Sequence, residues 1–198
     1  MSGDSSLMAY TLDNLRTDIR NYTEVDSSVF TDDVVNGFIA DAEERILRDV
    51  KTFALVGAST VWRRPSYYAM TYLQHKGFKI IPINPARVGE TVLGEKVYGS
   101  LADVPHQLDM VDIFRTTEEA LDITKDVINN KDARGIKYLW MQLTVRNDFA
   151  AELAEEAGLE VIMDRCPKIE FGRLSGELSW LGVNSGIITA KTLKSPKS

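Results

Sequence analysis

The run Phe53-Ala54-Leu55-Val56-Gly57-Ala58-Ser59-Thr60-Val61-Trp62-Arg63-Arg64-Pro65-Ser66-Tyr67-Tyr68 passes from an apolar segment through small residues to the first turn of a helix. Residues 53–56 combine β-branched and aromatic side chains and stop at Gly57, the pattern of a strand covered on both faces. Four residues alone fit a buried helix as well, and the next dozen decide between the two. Gly57, Ala58 and Ser59 suit a tight turn, and a polar loop comes after them. Pro65-Ser66 then opens a helix, with Tyr68, Tyr72 and Leu73 at helical spacing.

Strand, small-residue loop and helix N-terminus in succession make the phosphate-binding corner of a Rossmann-like βαβ unit. Small side chains let a phosphate reach backbone N–H groups, and the helix dipole adds positive potential. Arg63 and Arg64 lie in the loop, where guanidinium groups can pair with phosphate oxygens. A dinucleotide fingerprint starting at Gly57 would put Ser59 and Trp62 at its second and third glycine positions. Trp62 forbids the close helix–strand contact that the third glycine provides. The corner is therefore a poor nicotinamide site and a credible phosphate site. The plain alternative is an ordinary βα turn carrying two solvated arginines.

Outward from this corner the chain alternates strand and helix. Residues 79–83, 110–114, 136–141 and 160–163 read as the second to fifth strands. Helices fall over residues 66–76, from Thr116 or Thr117 to about residue 130, and from an Asn147 cap to residue 157. The pattern predicts an α/β domain over residues 51–174, a doubly wound parallel sheet of about five strands with helices on both faces. Ligands in such sheets bind at the carboxyl ends of the strands. Upstream, Leu12, Leu15 and Ile19 mark a short helix over residues 12–22. Val35, Phe38, Ile39, Ala42 and Ile46 mark a longer one capped by Thr31. Residues 1–50 thus form a two-helix extension that must bury its faces on the main domain, on itself, or on another chain or copy. Residues 175–198 read as a tail, apolar enough over 180–189 to pack on the domain.

The 198 residues suffice for one packed core, and no apolar run approaches the roughly 20 residues that span a bilayer. No partnership with a membrane is expected, and the N-terminus lacks the pattern of a secretory signal. One cysteine, Cys166, leaves no internal disulfide and fits a reducing compartment, so the cytoplasm is the expected location. The net charge of −6 is unevenly placed: residues 1–50 hold 11 acidic and 4 basic side chains. The remainder is close to neutral. That gives no support for nucleic-acid binding but leaves room for an arginine cluster aimed at a small anion.

Polar groups stand at the strand ends, where a core gains nothing from them: Ser59, then Asn84, Pro85 and Arg87, then Arg115, then Gln142. Each alone has a plain structural role. Together they outline a cleft of neutral donors and arginines for a phosphorylated nucleotide. NAD is expected to find an Asp or Glu for its ribose after the second strand, and Asn84-Pro85 stands there instead. Arg87 can in principle meet the 2′-phosphate of NADP, so an NADP-binding oxidoreductase-like domain is the rival reading.

A family resemblance then emerges from eight motifs in order between Lys51 and Leu174. They are Val56-Gly57-Ala58-Ser59, Arg64-Pro65-Ser66-Tyr67, Pro82-Ile83-Asn84-Pro85, Leu93-Gly94-Glu95-Lys96-Val97-Tyr98, Ser100-Leu101-Ala102-Asp103-Val104-Pro105, Val111-Asp112-Ile113-Phe114-Arg115, Trp140-Met141-Gln142-Leu143 and Met163-Asp164-Arg165-Cys166-Pro167-Lys168-Ile169-Glu170. This succession is similar to small bacterial coenzyme A-binding proteins, which resemble the N-terminal domain of the succinyl-CoA synthetase α subunit. The resemblance implies a site for coenzyme A or acyl-CoA built from Gly57, Ala58, Ser59 and the loop of Arg63 and Arg64, with Ser66 at the helix start. It places Asn84, Pro85 and Arg87 by the adenosine 3′-phosphate, Phe114 and Arg115 by the nucleotide, and Gln142 nearer the pantetheine arm. Residues 9–50 separately resemble the opening of tailed-phage neck or connector proteins, through Tyr10-Thr11-Leu12-Asp13-Asn14-Leu15, Asn21-Tyr22-Thr23-Glu24-Val25-Asp26 and the 38–46 stretch. That implies a fusion with a structural protein as another alternative.

No reaction constellation is visible in the sequence. His75 falls on the first domain helix and His106 in a loop, neither beside a recognisable nucleophile or metal-ligand pair. Cys166 has Arg165 and Lys168 nearby, which can depress a thiol pKa; a small buried residue closing the sheet is the simpler reading. A non-catalytic binding module is the expectation.

Overall fold

The computed structural model describes residues 32–175. The strand β1 (Thr52–Val56) pairs in parallel with β2 (Lys79–Ile83) on one side and β5 (Met110–Ile113) on the other. β6 (Tyr138–Met141) and β7 (Glu160–Ile162) follow, giving a five-stranded parallel sheet in the order β2-β1-β5-β6-β7. Phe53, Ala54 and Leu55 are all fully buried, because alternate side chains enter two separate cores. On one face Phe53, Leu55, Ile80, Met110, Tyr138 and Trp140 pack together. Helices α1 (Asp32–Asp49), α2 (Pro65–His75) and α5 (Pro167–Leu174) cover that face. On the other, Ala54, Ile81, Val111, Leu139 and Met141 lie under α3 (Thr117–Arg134) and α4 (Asp148–Glu156). The doubly wound arrangement is thus present, with helices on both faces.

Local chemistry accounts for the helix boundaries. Thr116 caps α3 in a capping box with Glu119, and Gly135 closes it at φ 74°. Asn147 caps α4 by accepting from the Ala150 N–H at 3.0 Å. A short hairpin, a 3₁₀ turn at Pro85–Arg87 and the last helix had no sequence expectation. A hairpin of β3 (Thr91–Val92) and β4 (Glu95–Lys96) turns on Leu93-Gly94, both at positive φ. The usual Asn-Gly or Asp-Gly signal is missing there, and Leu93 is held in place by packing against the core. Helix α5 starts at Pro167, directly after Arg165-Cys166, and buries Phe171 and Leu174.

Of the N-terminal extension, α1 lies within the described residues and uses the main domain to bury its face. Ile46 and Leu47 are each 1% exposed, and Val50 just beyond the helix is fully buried. The expected helix over residues 12–22, the Thr31 cap and the tail over 180–189 lie outside the described residues.

The chain runs from β1 to β2 in one direction, then crosses back over β1 to β5 and continues outward to β7. The direction of winding therefore reverses between β1 and β5, which opens a crevice at their carboxyl ends.

Candidate functional site

Gly57 stands at the carboxyl end of β1 with φ 93°. A Cβ there would lie 2.3 Å from the Phe114 carbonyl oxygen and 2.7 Å from Arg115 Cδ. Glycine is required on two counts, and its absence of a side chain brings the ends of β1 and β5 together. The N–H groups of Gly57 and Ala58 both donate to the Ile83 carbonyl, at 2.9 and 3.2 Å. Ala58 is buried, and Ser59 Oγ accepts from the Val61 N–H at 3.1 Å, which shapes the loop.

That loop delivers Arg63 and Arg64 to the start of α2. Both are exposed, and no carboxylate among the described residues pairs with either. Arg63 lies 5.8 Å from the Trp62 ring centroid. No side chain caps α2; its first residue, Pro65, has no N–H, and the N–H groups of Tyr67 and Tyr68 donate to the Arg64 carbonyl at 3.0 and 3.3 Å. Ser66, in this first turn, is buried.

The remaining expected residues divide between the crevice and its walls. Asn84 Nδ2 donates to the Ala58 carbonyl at 2.7 Å, while its Oδ1 accepts from Ala86 N–H at 3.0 Å. It thereby ties the end of β2 to the loop after β1. Pro85 opens a single 3₁₀ turn that carries Arg87, whose guanidinium donates to Glu90 Oε1 at 3.1 Å. Phe114 is half-buried, and its N–H donates to the Val56 carbonyl at 2.8 Å. Arg115 pairs with Glu119 and donates through Nε at 3.1 Å. Gly57, Ala58, Asn84, Phe114 and Arg115 are brought together by these contacts.

Gln142 belongs to a buried polar group one strand further on. Its Nε2 donates to both Asp112 oxygens at 3.0 Å. Asp112 is completely buried inside β5, and burial pushes its carboxyl up to about 8, against the opposing effect of the Gln142 hydrogen bond. It is a neutral acid at neutral pH. Burial, with a further contribution from Asp112, also raises the Cys166 thiol. The depressed pKa conceivable from Arg165 and Lys168 is thus corrected: Arg165 turns to Glu43 and Lys168 to the Tyr72 ring, and Cys166 is a buried neutral thiol. Asp112 had a sequence signal that went unused, namely a carboxylate inside an otherwise apolar strand of a sheet covered on both faces.

The crevice is suited to hold anionic oxygens through the exposed Arg63 and Arg64 and the positive end of α2. His75 is occupied on its own helix, with Nδ1 2.6 Å from the Thr71 carbonyl oxygen, and His106 is exposed in a loop. No described helix is long and apolar enough to cross a membrane.

Residues 51–172 match a family described as the CoA binding domain. The uncharacterized protein YneT of Bacillus subtilis (strain 168) is 32% identical over 126 residues, which cover 64% of this chain and 89% of YneT. A hypothetical protein from Pyrococcus horikoshii OT3 shares 34% identity at a TM-score of 0.63, covering 68% of this chain and 91% of that one. The cell-free protein ID.343 from Thermus thermophilus shares 30% identity at a TM-score of 0.63, over 68% of this chain and 97% of its own. The likeness of residues 9–50 to virion proteins gains no support from these relatives. The family match runs from the residue before β1 into the body of α5 and so takes in the whole sheet, and on it the chain belongs to the CoA-binding domain family.

Proposed function

We propose that this protein holds coenzyme A or an acyl-CoA in the crevice between β1 and β5 and releases it unchanged, in the cytoplasm. The observation that carries the reading is the pair Arg63 and Arg64, exposed at an uncapped helix N-terminus with no carboxylate partner among the described residues. Guanidinium groups without a carboxylate partner, beside the positive end of a helix that no side chain caps, fit a diphosphate. Small side chains at Gly57, Ala58 and Ser59 leave the approach open. In this reading Asn84, Pro85 and Arg87 border the adenosine 3′-phosphate, Phe114 and Arg115 border the nucleotide, and Gln142 lies toward the pantetheine arm.

The exposed ion pairs of Arg87 with Glu90 and Arg115 with Glu119 do not oppose this assignment. Such pairs contribute about 0–1 kcal/mol, whereas a charge-assisted hydrogen bond to phosphate contributes about 1.5–3 kcal/mol. A phosphate can therefore displace either glutamate. Neither histidine and no thiolate lines the crevice in a form suited to proton relay or nucleophilic attack, which favours a binding module.

A thermal-shift and calorimetric panel of coenzyme A, acetyl-CoA, dephospho-coenzyme A, NADP and ATP tests the proposal, since a ligand that binds the folded state raises its stability by RT ln(1 + [L]/Kd). The expected result is stabilisation by coenzyme A or acetyl-CoA without turnover. Stabilisation by NADP alone would transfer the site to the rival reading.

A further inference from the structure

Glu43 on α1 and Glu170 on α5 are 1% and 7% exposed, and they meet on one guanidinium. Arg173 Nη2 lies 2.7 Å from Glu43 Oε2 and 2.6 Å from Glu170 Oε2, and Arg173 Nε donates to Glu170 at 2.7 Å. A second cation, Arg165 in the turn between β7 and α5, approaches Glu43 Oε1 at 3.3 Å while about a third of its side chain stays exposed. Arg173 Nη1 is buried without a hydrogen-bond partner among the described residues.

This seam holds two buried carboxyl groups around the Arg173 guanidinium, whose side chain is 7% exposed, with Arg165 at its rim. Ionising both leaves two anions on the same nitrogen, and each has lost its water at a cost of several kcal/mol. Protonating Glu43 removes its share of that cost and turns the repulsion by Glu170 into an attraction between a donor and an acceptor. We propose that this cluster is a proton-operated latch, which seats α1 against α5 while Glu43 carries a proton and loosens it when Glu43 is ionised.

Burial first, then the Glu170 charge, pushes the Glu43 carboxyl up to about 8, with Arg173 and Arg165 acting the other way. The other charged groups along the seam are engaged elsewhere. Glu44 pairs with Arg48 inside α1, Arg45 with Glu160 on β7, and Asp49 with Lys137 and the Tyr138 hydroxyl. Lys168 lies over the Tyr72 ring. The proton sits between α1 and the helix that starts one residue after Cys166, whose thiol contacts Gln142. The latch lies between α1 and α5, and it does not depend on which ligand the crevice takes.

The test is an NMR titration of the full chain from about pH 6 to about pH 9, following the glutamate carboxyl carbons and the exchange protection of the α1 amides. Glu43 should titrate well above the ordinary glutamate range. Protection of α1, corrected for intrinsic exchange, should then fall by about tenfold per pH unit beyond that point. Glu43→Gln, which imitates the protonated form, should keep α1 protected throughout. Glu170→Gln should do the same, by leaving Glu43 as the lone carboxylate on Arg173, and it stands in if the first variant fails to fold. Asp112→Asn should leave the α1 transition as in the wild type. Titration of Glu43 in the ordinary range, or α1 protection unchanged across its ionisation, overturns the proposal. So does a Glu43→Gln protein that keeps the wild-type transition.

Discussion

At Gly57 the backbone takes φ 93°, and a Cβ would stand 2.3 Å from the Phe114 carbonyl oxygen, so one absent methyl group sets the distance between β1 and β5. Gly57→Ala must adopt a left-handed conformation, which costs about 1–3 kcal/mol before any clash is counted. The variant should therefore unfold at clearly lower urea and bind coenzyme A more weakly, and a wild-type unfolding midpoint would show that the corner relaxes without penalty. Arg87 poses a question of ligand choice. Coenzyme A differs from dephospho-coenzyme A by the 3′-phosphate, and Arg87 follows Asn84-Pro85 at the end of β2. Its pair with Glu90 is half-exposed and cheap to exchange for phosphate. Arg87→Ala should weaken coenzyme A by roughly 10- to 100-fold and hardly change dephospho-coenzyme A. Equal losses for both ligands in calorimetry would move the 3′-phosphate to Arg63 or Arg64.

Among the elements, α1 shows how a segment outside the matched family region contributes to the core. All the ligand motifs begin at Gly57, so from the sequence a chain starting near Asp49 should fold and bind. Ile46 and Leu47, however, are core residues packed with Phe53, Tyr138 and Trp140. Burying each contributes about 1.5–3 kcal/mol. The truncated chain should lose several kcal/mol of stability, a large share of the total for a single domain. Denaturant titration reads this directly, and an unchanged midpoint would mean that α1 adds nothing to the fold. The alternating elements were legible because buried parallel strands such as Lys79–Ile83 and capped helices such as Thr117–Arg134 carry strong local signals. The corner around Gly57 was legible for the same reason. The Leu93-Gly94 hairpin was not, because tertiary packing of Leu93 overrides a poor turn sequence. The partners of Asn84, Gln142 and Glu43 were equally hidden: each depends on residues 26, 30 and 130 positions away, respectively.

For the whole molecule, the buried acids determine how stability responds to pH. Asp112 lies on the core face that α5 covers, with an amide and no cation as its hydrogen-bond partner. Glu43 lies between α1 and α5. Burial raises each to about 8 in the folded protein, against about 4 when unfolded. A raised carboxyl binds its proton more tightly in the folded state, so its stabilising contribution is complete below pH of about 4 and is lost as pH rises to about 8. Each such group adds a slope of about 1.4 kcal/mol per pH unit within that window. The usual acid-labile behaviour comes from carboxylates with lowered pKa, such as Asp49, held down first by the Tyr138 hydroxyl, and Glu119, held down first by Arg115. Those two side chains are 47% and 41% exposed, and solvent screening leaves them little to offset. Unfolding midpoints should therefore fall from mildly acidic to alkaline pH. Asp112→Asn keeps a donor and an acceptor for Gln142 while removing the titration, so it should flatten the decline and be more stable than the wild type at about pH 9. If Asp112→Asn followed the wild-type curve across the whole range, Asp112 would be ionised in the fold at neutral pH, and a cation absent from the described contacts would have to compensate it.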